Sequence, residues 1–224
     1  RFWPGPLTLV VPRTRDCPVA RIATAGLDTI ALRVPAHRAM RALLAASRAP
    51  LAAPSANASG RVSPTRAAHV LTSLDGRIAL VIDDGATTAG VESTIARVVD
   101  GAVEVLRPGP VTAAMLGAAS GLPVRGRKGA DVVAPGMLAS HYAPGKPVRL
   151  DAASFAPDEF GIGFGALRGD YCLSEAGDAT EAAAHLFDAL HAGAASVKPR
   201  IAVAAIPADG LGAAINDRLA RAAV

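Results

Sequence analysis

The most informative stretch of the chain reads LAAPSANASGRVSPT, residues 51–65. Its apolar start, Leu51–Ala53, predicts a short strand, and the small residues that follow would let backbone approach a ligand closely. Ser63 is a favoured N-cap and Pro64 a favoured first helical residue, so we predict that a helix begins here. The N–H groups at such a helix start suit a phosphate. A capped turn without any ligand would give the same pattern.

The residues around this stretch alternate between strand and helix patterns, which predicts an α/β domain with a twisted mixed sheet. The strongest local signal is Asp100-Gly101, a hairpin turn between two apolar runs. Thr112 is placed to cap a helix through Leu116. The other segments are predicted as strands at 7–11, 29–34, 78–82, 93–99 and 103–106 and as a helix at 36–48.

The last part of the chain predicts a smaller, Rossmann-like parallel α/β domain. Ala183, Leu186, Phe187 and Leu190 form the apolar stripe of one helix, and Asp209 can cap a final helix. Strands are predicted at 148–150, 162–164 and 201–206. Between the two parts, a stretch rich in Gly, Pro and basic residues has no period and predicts a linker or functional loop. The predicted domains are therefore 1–120 and 148–224, joined by 121–147.

Composition excludes several classes of protein. An apolar fraction of 51% excludes a disordered chain, and no apolar run reaches the ~18 residues of a membrane span. Cys17 and Cys172 are the only cysteines and have no ligand spacing, so we expect a cytoplasmic protein without a disulfide framework or zinc site. The sequence also has no Walker loop and no Ser-His-Asp order that would indicate a hydrolase.

Charge is distributed unevenly along the chain. Residues 1–127 carry 15 Arg against 8 acids, whereas residues 128–224 carry 8 basic residues against 11 acids. A basic first part suggests that it meets anions such as phosphates. The excess of Arg over Lys has a second explanation, which is the base composition of the genome.

Five short motifs, in order, resemble those of the YrdC-like, or threonylcarbamoyl-adenylate synthase, family. Each motif is weak alone, but their shared order is specific. They are FWPGPLT at 2–8, LRVP at 32–35, the Ser-x-Asn segment at 55–57, ESTI at 92–95 and LRPG at 106–109.

The second part resembles the longer members of that family. APGM at 134–137 and SHYAP at 140–144 look like their interdomain linker, and GLGAAINDR at 210–218 looks like the close of their second domain. The family's N-terminal Lys-x-Arg motif and early threonine-site residues are missing, and the chain opens inside a motif, at Arg1. We therefore expect an N-terminally truncated copy, and whether it is active alone is an open question.

The resemblance implies a nucleotidyltransferase that makes threonylcarbamoyl-AMP and pyrophosphate from L-threonine, bicarbonate and ATP. ATP would be a substrate, with Mg²⁺ on its phosphates and no metal held by protein side chains. The product would feed threonylcarbamoyladenosine formation on tRNA through a downstream transferase complex, with tRNA contact as a further expectation. No protein nucleophile is implied, so catalysis would rest on positioning and charge neutralisation.

The same resemblance assigns roles to individual positions. Arg33 would bind the threonine carboxylate, because a guanidinium pairs well with a carboxylate, and Ala53 and Ser93 would line the threonine pocket. His141 and Tyr142 would reach over the nucleotide from the linker, as a lid over 134–145, or would merely tether the second domain. The other implied ATP contacts are Thr29, Ser55, Asn57, Ser63 and Arg107.

Two other functions remain open at this point. A carbamoyl-adenylate-forming YrdC-like module would bring other modules with it, including zinc-finger segments, which the linker and last domain argue against. A non-catalytic RNA-binding module would use the basic first part to contact RNA. Modules that recognise RNA sequence usually expose aromatic side chains on which bases stack, and aromatics make up only 4% of this chain.

Overall fold

The structure is a computed structural model that describes residues 1–127 and 141–224. The described residues pack as two compact units. The first contains 1–54 and 92–127, and the second contains 55–91 and 141–224. The α-helices of the described chain are α1 Arg38–Ser47, α2 Ala67–Leu74, α3 Ala113–Ser120, α4 Ala179–Ala195 and α5 Gly212–Ala222.

The first unit is built on a mixed sheet, as predicted. Its strands are ordered β2-β1-β3-β4-β5. The β1–β2 and β3–β4 pairs are antiparallel, whereas β1–β3 and β4–β5 are parallel. The strands are β1 Leu7–Pro12, β2 Thr29–Leu32, β3 Thr94–Val99, β4 Ala102–Arg107 and β5 Val124–Gly126.

Two local sequence signals in this unit are confirmed. Asp100 and Gly101 have φ of 51° and 69°, the left-handed pair that a tight hairpin turn requires, and they join β3 to β4. Thr112 caps α3 by accepting a hydrogen bond from the Met115 N–H at 3.3 Å. α3 then packs Leu116 against the sheet, in a core completed by Leu7, Ala96, Val103 and Val111.

The second unit contains a four-stranded sheet in which every pair is parallel, as predicted. Its order is β6-β9-β7-β8, and α4 contributes the predicted apolar stripe to its core. The predicted final helix begins at Gly212 rather than just after Asp209. The strands are β6 Val148–Ala152, β7 Glu159–Gly163, β8 Tyr171–Cys172 and β9 Arg200–Ala204.

The predicted helix start at Ser63 is wrong. α2 begins at Ala67, its N-cap residue is Arg66, and that residue makes no side-chain capping bond. The reason is tertiary: the Ser63 carbonyl contacts His191, and Thr65 contacts Asp188, both on α4. These contacts hold 63–66 as an irregular turn, which propensity alone could not foresee.

Two predicted strands are also absent. Residues 51–53 and 78–82 have no regular structure. In the second of these segments Ile78, Leu80 and Ile82 are 41%, 75% and 58% exposed. An apolar run becomes a strand only beside a partner strand, and neither segment pairs with one among the described residues.

The packing differs from the predicted order of domains along the chain. Residues 55–91 group with 141–224, although they precede the predicted linker, and β5 lies inside that linker. The boundaries at 120 and 147 remain a prediction. No helix of the described residues combines the length and apolarity that crossing a membrane requires.

Candidate active site

One end of the mixed sheet gathers three of the predicted site residues. Arg33 directly follows β2, and Ser93 directly precedes β3, while β1 lies between these two strands. The register fixes this end, because Leu9 pairs with Leu32 and the Thr94 N–H donates to the Pro6 carbonyl at 3.0 Å. Arg33 and Ser93 are two strand spacings apart, which is about 10 Å measured across the sheet from backbone to backbone.

A third polar residue, Thr8, lies between them and was not assigned a role from sequence. Its Oγ1 is 2.7 Å from the Ser93 Oγ, and the two hydroxyls share a hydrogen bond. Continuing the β1–β2 register by one residue places Thr8 opposite Arg33, so both lie on one face of the sheet. Thr8 stands in the motif at 2–8, which was the only signal for it.

Arg107 joins the same cluster from the end of β4. Its Nε and Nη2 donate to the Ser93 carbonyl at 3.2 and 2.8 Å, and Nη2 lies 3.3 Å from the Ser93 Oγ. Arg107 is only 9% exposed and Ser93 4%, so water screens their contact weakly. The structure therefore brings a predicted ATP residue against a predicted threonine residue.

Two other predicted residues of this unit make no described side-chain contact with the cluster. Thr29 is the first residue of β2, and Arg33 follows the last, which separates them by about 13 Å along the strand. Ala53 is exposed and lies in a segment without regular structure.

The Ser-x-Asn segment is an ordered loop of the second unit. The Asn57 Nδ2 donates to the carbonyls of Ala58 and Arg61 at 2.9 and 3.1 Å. Both partners are acceptors, which fixes the orientation of the amide. The opposite atom, Asn57 Oδ1, is buried and has no partner among the described residues. Ser55 is exposed, whereas Ser63 is 4% exposed.

The chain after the predicted linker contacts this loop directly. The Ala143 N–H donates to the Gly60 carbonyl at 2.9 Å, and Ala143 forms a parallel bridge with Arg61. The part of the predicted lid at 134–140 lies outside the described residues. Its described end therefore lies beside the loop that sequence assigned to the nucleotide.

His141 and Tyr142 take different positions within that end. Tyr142 is 1% exposed, and its ring stacks on Phe187 with centroids 5.3 Å apart. The Arg218 guanidinium lies 5.9 Å from the centre of the same ring. His141 is half-buried and packs edge-on against Tyr142 at 4.1 Å. In this arrangement Tyr142 anchors the segment in the C-terminal core, which matches the tether alternative for this residue.

No group of His, Cys, Asp and Glu side chains in 1–127 or 141–224 could hold a metal ion. In the first unit, the described side chains provide hydroxyl and guanidinium groups at a strand end. In the second unit, the loop by itself provides the unfilled acceptor Asn57 Oδ1. Such groups can bind and orient anions and polar substrates.

Two protein families match the chain in sequence. The Sua5, YciO and YrdC family, described as telomere recombination, matches residues 1–109. The family described as threonylcarbamoyl-AMP synthase, C-terminal domain, matches residues 104–224. The two matches follow each other along the chain and together cover all of it.

Curated relatives of the chain carry the same name as the second of these families. Threonylcarbamoyl-AMP synthase of Bacillus subtilis is 38% identical over 247 aligned residues, covering 100% of this chain and 71% of the relative. The enzyme of the same name from Pyrococcus abyssi is 44% identical, covering 66% of this chain and 44% of the relative.

Solved structures give the same result. The crystal structure of P. abyssi Sua5 complexed with L-threonine superposes with a TM-score of 0.86 at 34% identity, over 99% of this chain and 71% of that one. A P. abyssi Sua5 variant with a His and the following Tyr replaced by Ala gives 0.84 at 32% identity, over 99% and 70%. Since both domain families and relatives along the entire length agree, this chain belongs to the threonylcarbamoyl-AMP synthase family.

Proposed function

We propose that this chain makes threonylcarbamoyl-AMP and pyrophosphate from L-threonine, bicarbonate and ATP, with the amino acid bound at the Arg33 end of the mixed sheet. The observation that carries the proposal is the cluster of Thr8, Ser93 and Arg107 beside Arg33 at adjoining strand ends. The threonine complex of the P. abyssi relative supports the choice of amino acid.

The spacing of this cluster fits a small amino acid. Arg33 can offer two parallel N–H groups to a carboxylate, and such charge-assisted hydrogen bonds are roughly twice as strong as bonds between neutral groups. Thr8 lies one strand away from Arg33 and Ser93 two strands away, and we propose that their hydroxyls contact the amine and the side-chain hydroxyl of the amino acid. We propose that Ala53 lines this pocket through its small side chain.

The proposed nucleotide contacts include the loop of the second unit. Asn57 Oδ1 is a buried acceptor that needs a donor, and the exocyclic amine of adenine or a ribose hydroxyl would supply one. Ser55 is exposed and can donate a hydroxyl, and His141 lies on the segment that bridges to this loop. The other proposed ATP contacts are Thr29, Ser63, Arg107 and Tyr142. Because the ring of Tyr142 is buried, it would have to move to touch a nucleotide.

The chemistry needs positioning more than a protein nucleophile. The threonine amine and bicarbonate give a carbamate with loss of water, and a carbamate oxygen attacks the α-phosphorus. A new P–O bond forms as the bond to pyrophosphate breaks, and pyrophosphate leaves with the electron pair. Two anions must meet, so the guanidinium groups of Arg33 and Arg107 lower the repulsion between them. Mg²⁺ bound to the ATP phosphates would neutralise further charge, held by phosphate oxygens.

The biological setting belongs to the same proposal. The adenylate would pass to a tRNA-modifying transferase complex, and the basic residues of 1–127 would suit a contact with tRNA. We place the reaction in the cytoplasm, where ATP, threonine and tRNA are available together. Neither the carbamoyl-adenylate module nor the RNA-binding module is favoured by an observation, since the C-terminal family match belongs to threonylcarbamoyl-AMP synthases.

Steady-state kinetics of Arg33→Ala tests the proposed pocket. In the protein expressed from its complete gene, loss of the charge-assisted contact should raise the KM for threonine about tenfold to a hundredfold and change the KM for ATP less than threefold. Arg41→Ala, at an exposed position of α1, is the matched control and should leave both constants unchanged. A rise in the KM for ATP with normal threonine kinetics would assign Arg33 to the nucleotide instead.

A further inference from the structure

A polar cluster in the second unit connects α4 to the turn at 63–66. Asp188 and His191, one helical turn apart on α4, both face this turn. The turn continues the Ser-x-Asn loop, so whatever orders it also orders the proposed nucleotide contacts. The sequence patterns indicated neither contact, because the partners are more than 120 residues apart.

Asp188 is the centre of the cluster. Its two carboxylate oxygens accept hydrogen bonds from the Arg66 Nε and Nη2 at 2.9 and 3.0 Å. Thr65 Oγ1 and the Tyr171 hydroxyl lie 3.4 and 3.3 Å from the same carboxylate. The side chain of Asp188 is 19% exposed. The hydrogen bond from Arg66 lowers the pKa of Asp188, so the group is a carboxylate at neutral pH.

A stacked pair of imidazoles completes the contact. The rings of His69 and His191 lie 3.8 Å apart at 22°. The Thr65 N–H points at the His69 Nδ1 at 3.3 Å, so that nitrogen must be the acceptor and the ring proton lies on Nε2, 3.5 Å from Asp188. His191 Nε2 lies 3.2 Å from the Ser63 carbonyl and must donate to it. Burial lowers the pKa of both imidazoles, so both are neutral near pH 7.

Several groups of the turn are held by these contacts with α4. Arg66 is the N-cap residue of α2, and its side chain makes no capping bond because it is directed to Asp188. The carbonyl of Ser63, the N–H and hydroxyl of Thr65 and the guanidinium of Arg66 are all engaged by the cluster. Outside the cluster, the Thr87 N–H also donates to the Thr65 carbonyl at 2.9 Å.

We propose that Asp188 is a positioning residue for the nucleotide: it holds Thr65 and Arg66 so that residues 55–63 keep the conformation that binds ATP. The inference rests on the proposed function and assigns the C-terminal α/β domain a part in the reaction. Asp188 acts through the loop and need not touch substrate. Its loss therefore weakens the use of ATP rather than of threonine.

The test compares Asp188→Asn with Asp158→Asn in the protein expressed from its complete gene. Asp158 pairs with Arg200 in the same unit, so the control removes the same charge from another Arg-carboxylate pair. We expect Asp188→Asn to raise the KM for ATP about tenfold, the cost of one charge-assisted contact, with the KM for threonine within twofold of wild type. Asp158→Asn should leave both within twofold.

A double-mutant cycle separates positioning from general destabilisation. Arg66→Ala and Asp188→Asn should each raise the KM for ATP, and the double variant should be no worse than the stronger single variant, because both remove one contact. The inference is overturned if Asp188→Asn lowers the melting temperature but keeps the wild-type KM for ATP, or if both KM values rise alike. Wild-type protein without threonine-dependent pyrophosphate release would overturn the proposed function, and this inference with it.

Discussion

Replacing Gly90 by Ala tests how closely the segment before β3 packs on the C-terminal helix α4. Gly90 has a φ of +69°, and a Cβ at this position would lie 2.0 Å from the Ala183 carbonyl oxygen and 2.4 Å from the Ala184 Cα. These are backbone atoms of a helix and cannot move aside as a flexible side chain would. The positive φ costs about 1–2 kcal/mol for an L-residue, and overpacking adds about 1–3 kcal/mol.

We therefore expect Gly90→Ala to lower the free energy of unfolding by about 2–5 kcal/mol, measured from the denaturant midpoint and slope. Gly85→Ala is the matched control, because Gly85 has a φ of +86° with nothing within 4 Å of the added Cβ. It should lose only the conformational part, about 1–2 kcal/mol. Equal losses at the two positions would refute the close approach of the segment to α4.

Two further predictions concern the site and the second sheet. Thr8→Val keeps the shape of the side chain but removes the hydroxyl that bonds Ser93, so the KM for threonine should rise about fivefold to tenfold, and unchanged threonine kinetics would remove Thr8 from the pocket. Hydrogen bonds from Arg149 and from the Ala156 N–H lower the pKa of Glu159 from 4.5 to about 2. The ionised carboxylate therefore stabilises the fold at pH values above 4.5, and this stabilisation is lost as the pH falls towards 2. Glu159→Gln should accordingly be less stable than wild type at pH 7, with the difference narrowing between pH 4.5 and 2, and a constant difference in urea midpoints across that range would contradict the assignment.

The elements that sequence predicted well are those decided by neighbours in the chain. Asp100 and Gly101 specify a hairpin because two adjacent residues must adopt positive φ, and Thr112 caps α3 through a bond three residues away. The failures come from distant partners. Ser63 resembles a helix cap, yet its carbonyl contacts His191, which is 128 residues further along the chain.

The site shows the same limit. The family resemblance identified Arg33 and Ser93, but Thr8 reads as an ordinary strand residue until the register of β1 with both neighbours places it between them. Nothing in the sequence pairs Asp188 on α4 with Arg66 in the turn before α2, because two charged residues so far apart in the chain share no pattern. For Tyr142 the sequence leaves a lid and a tether open, and its burial against Phe187 could not be predicted because it depends on the packed core.

The most direct test of the central claim is to identify the product formed from ATP and ¹³C-labelled bicarbonate, with and without L-threonine, by the protein expressed from its complete gene. We predict threonylcarbamoyl-AMP that carries one labelled carbon, formed together with an equal amount of pyrophosphate and only when threonine is present. A labelled adenylate that forms without threonine, or pyrophosphate release that is independent of threonine, would contradict the account.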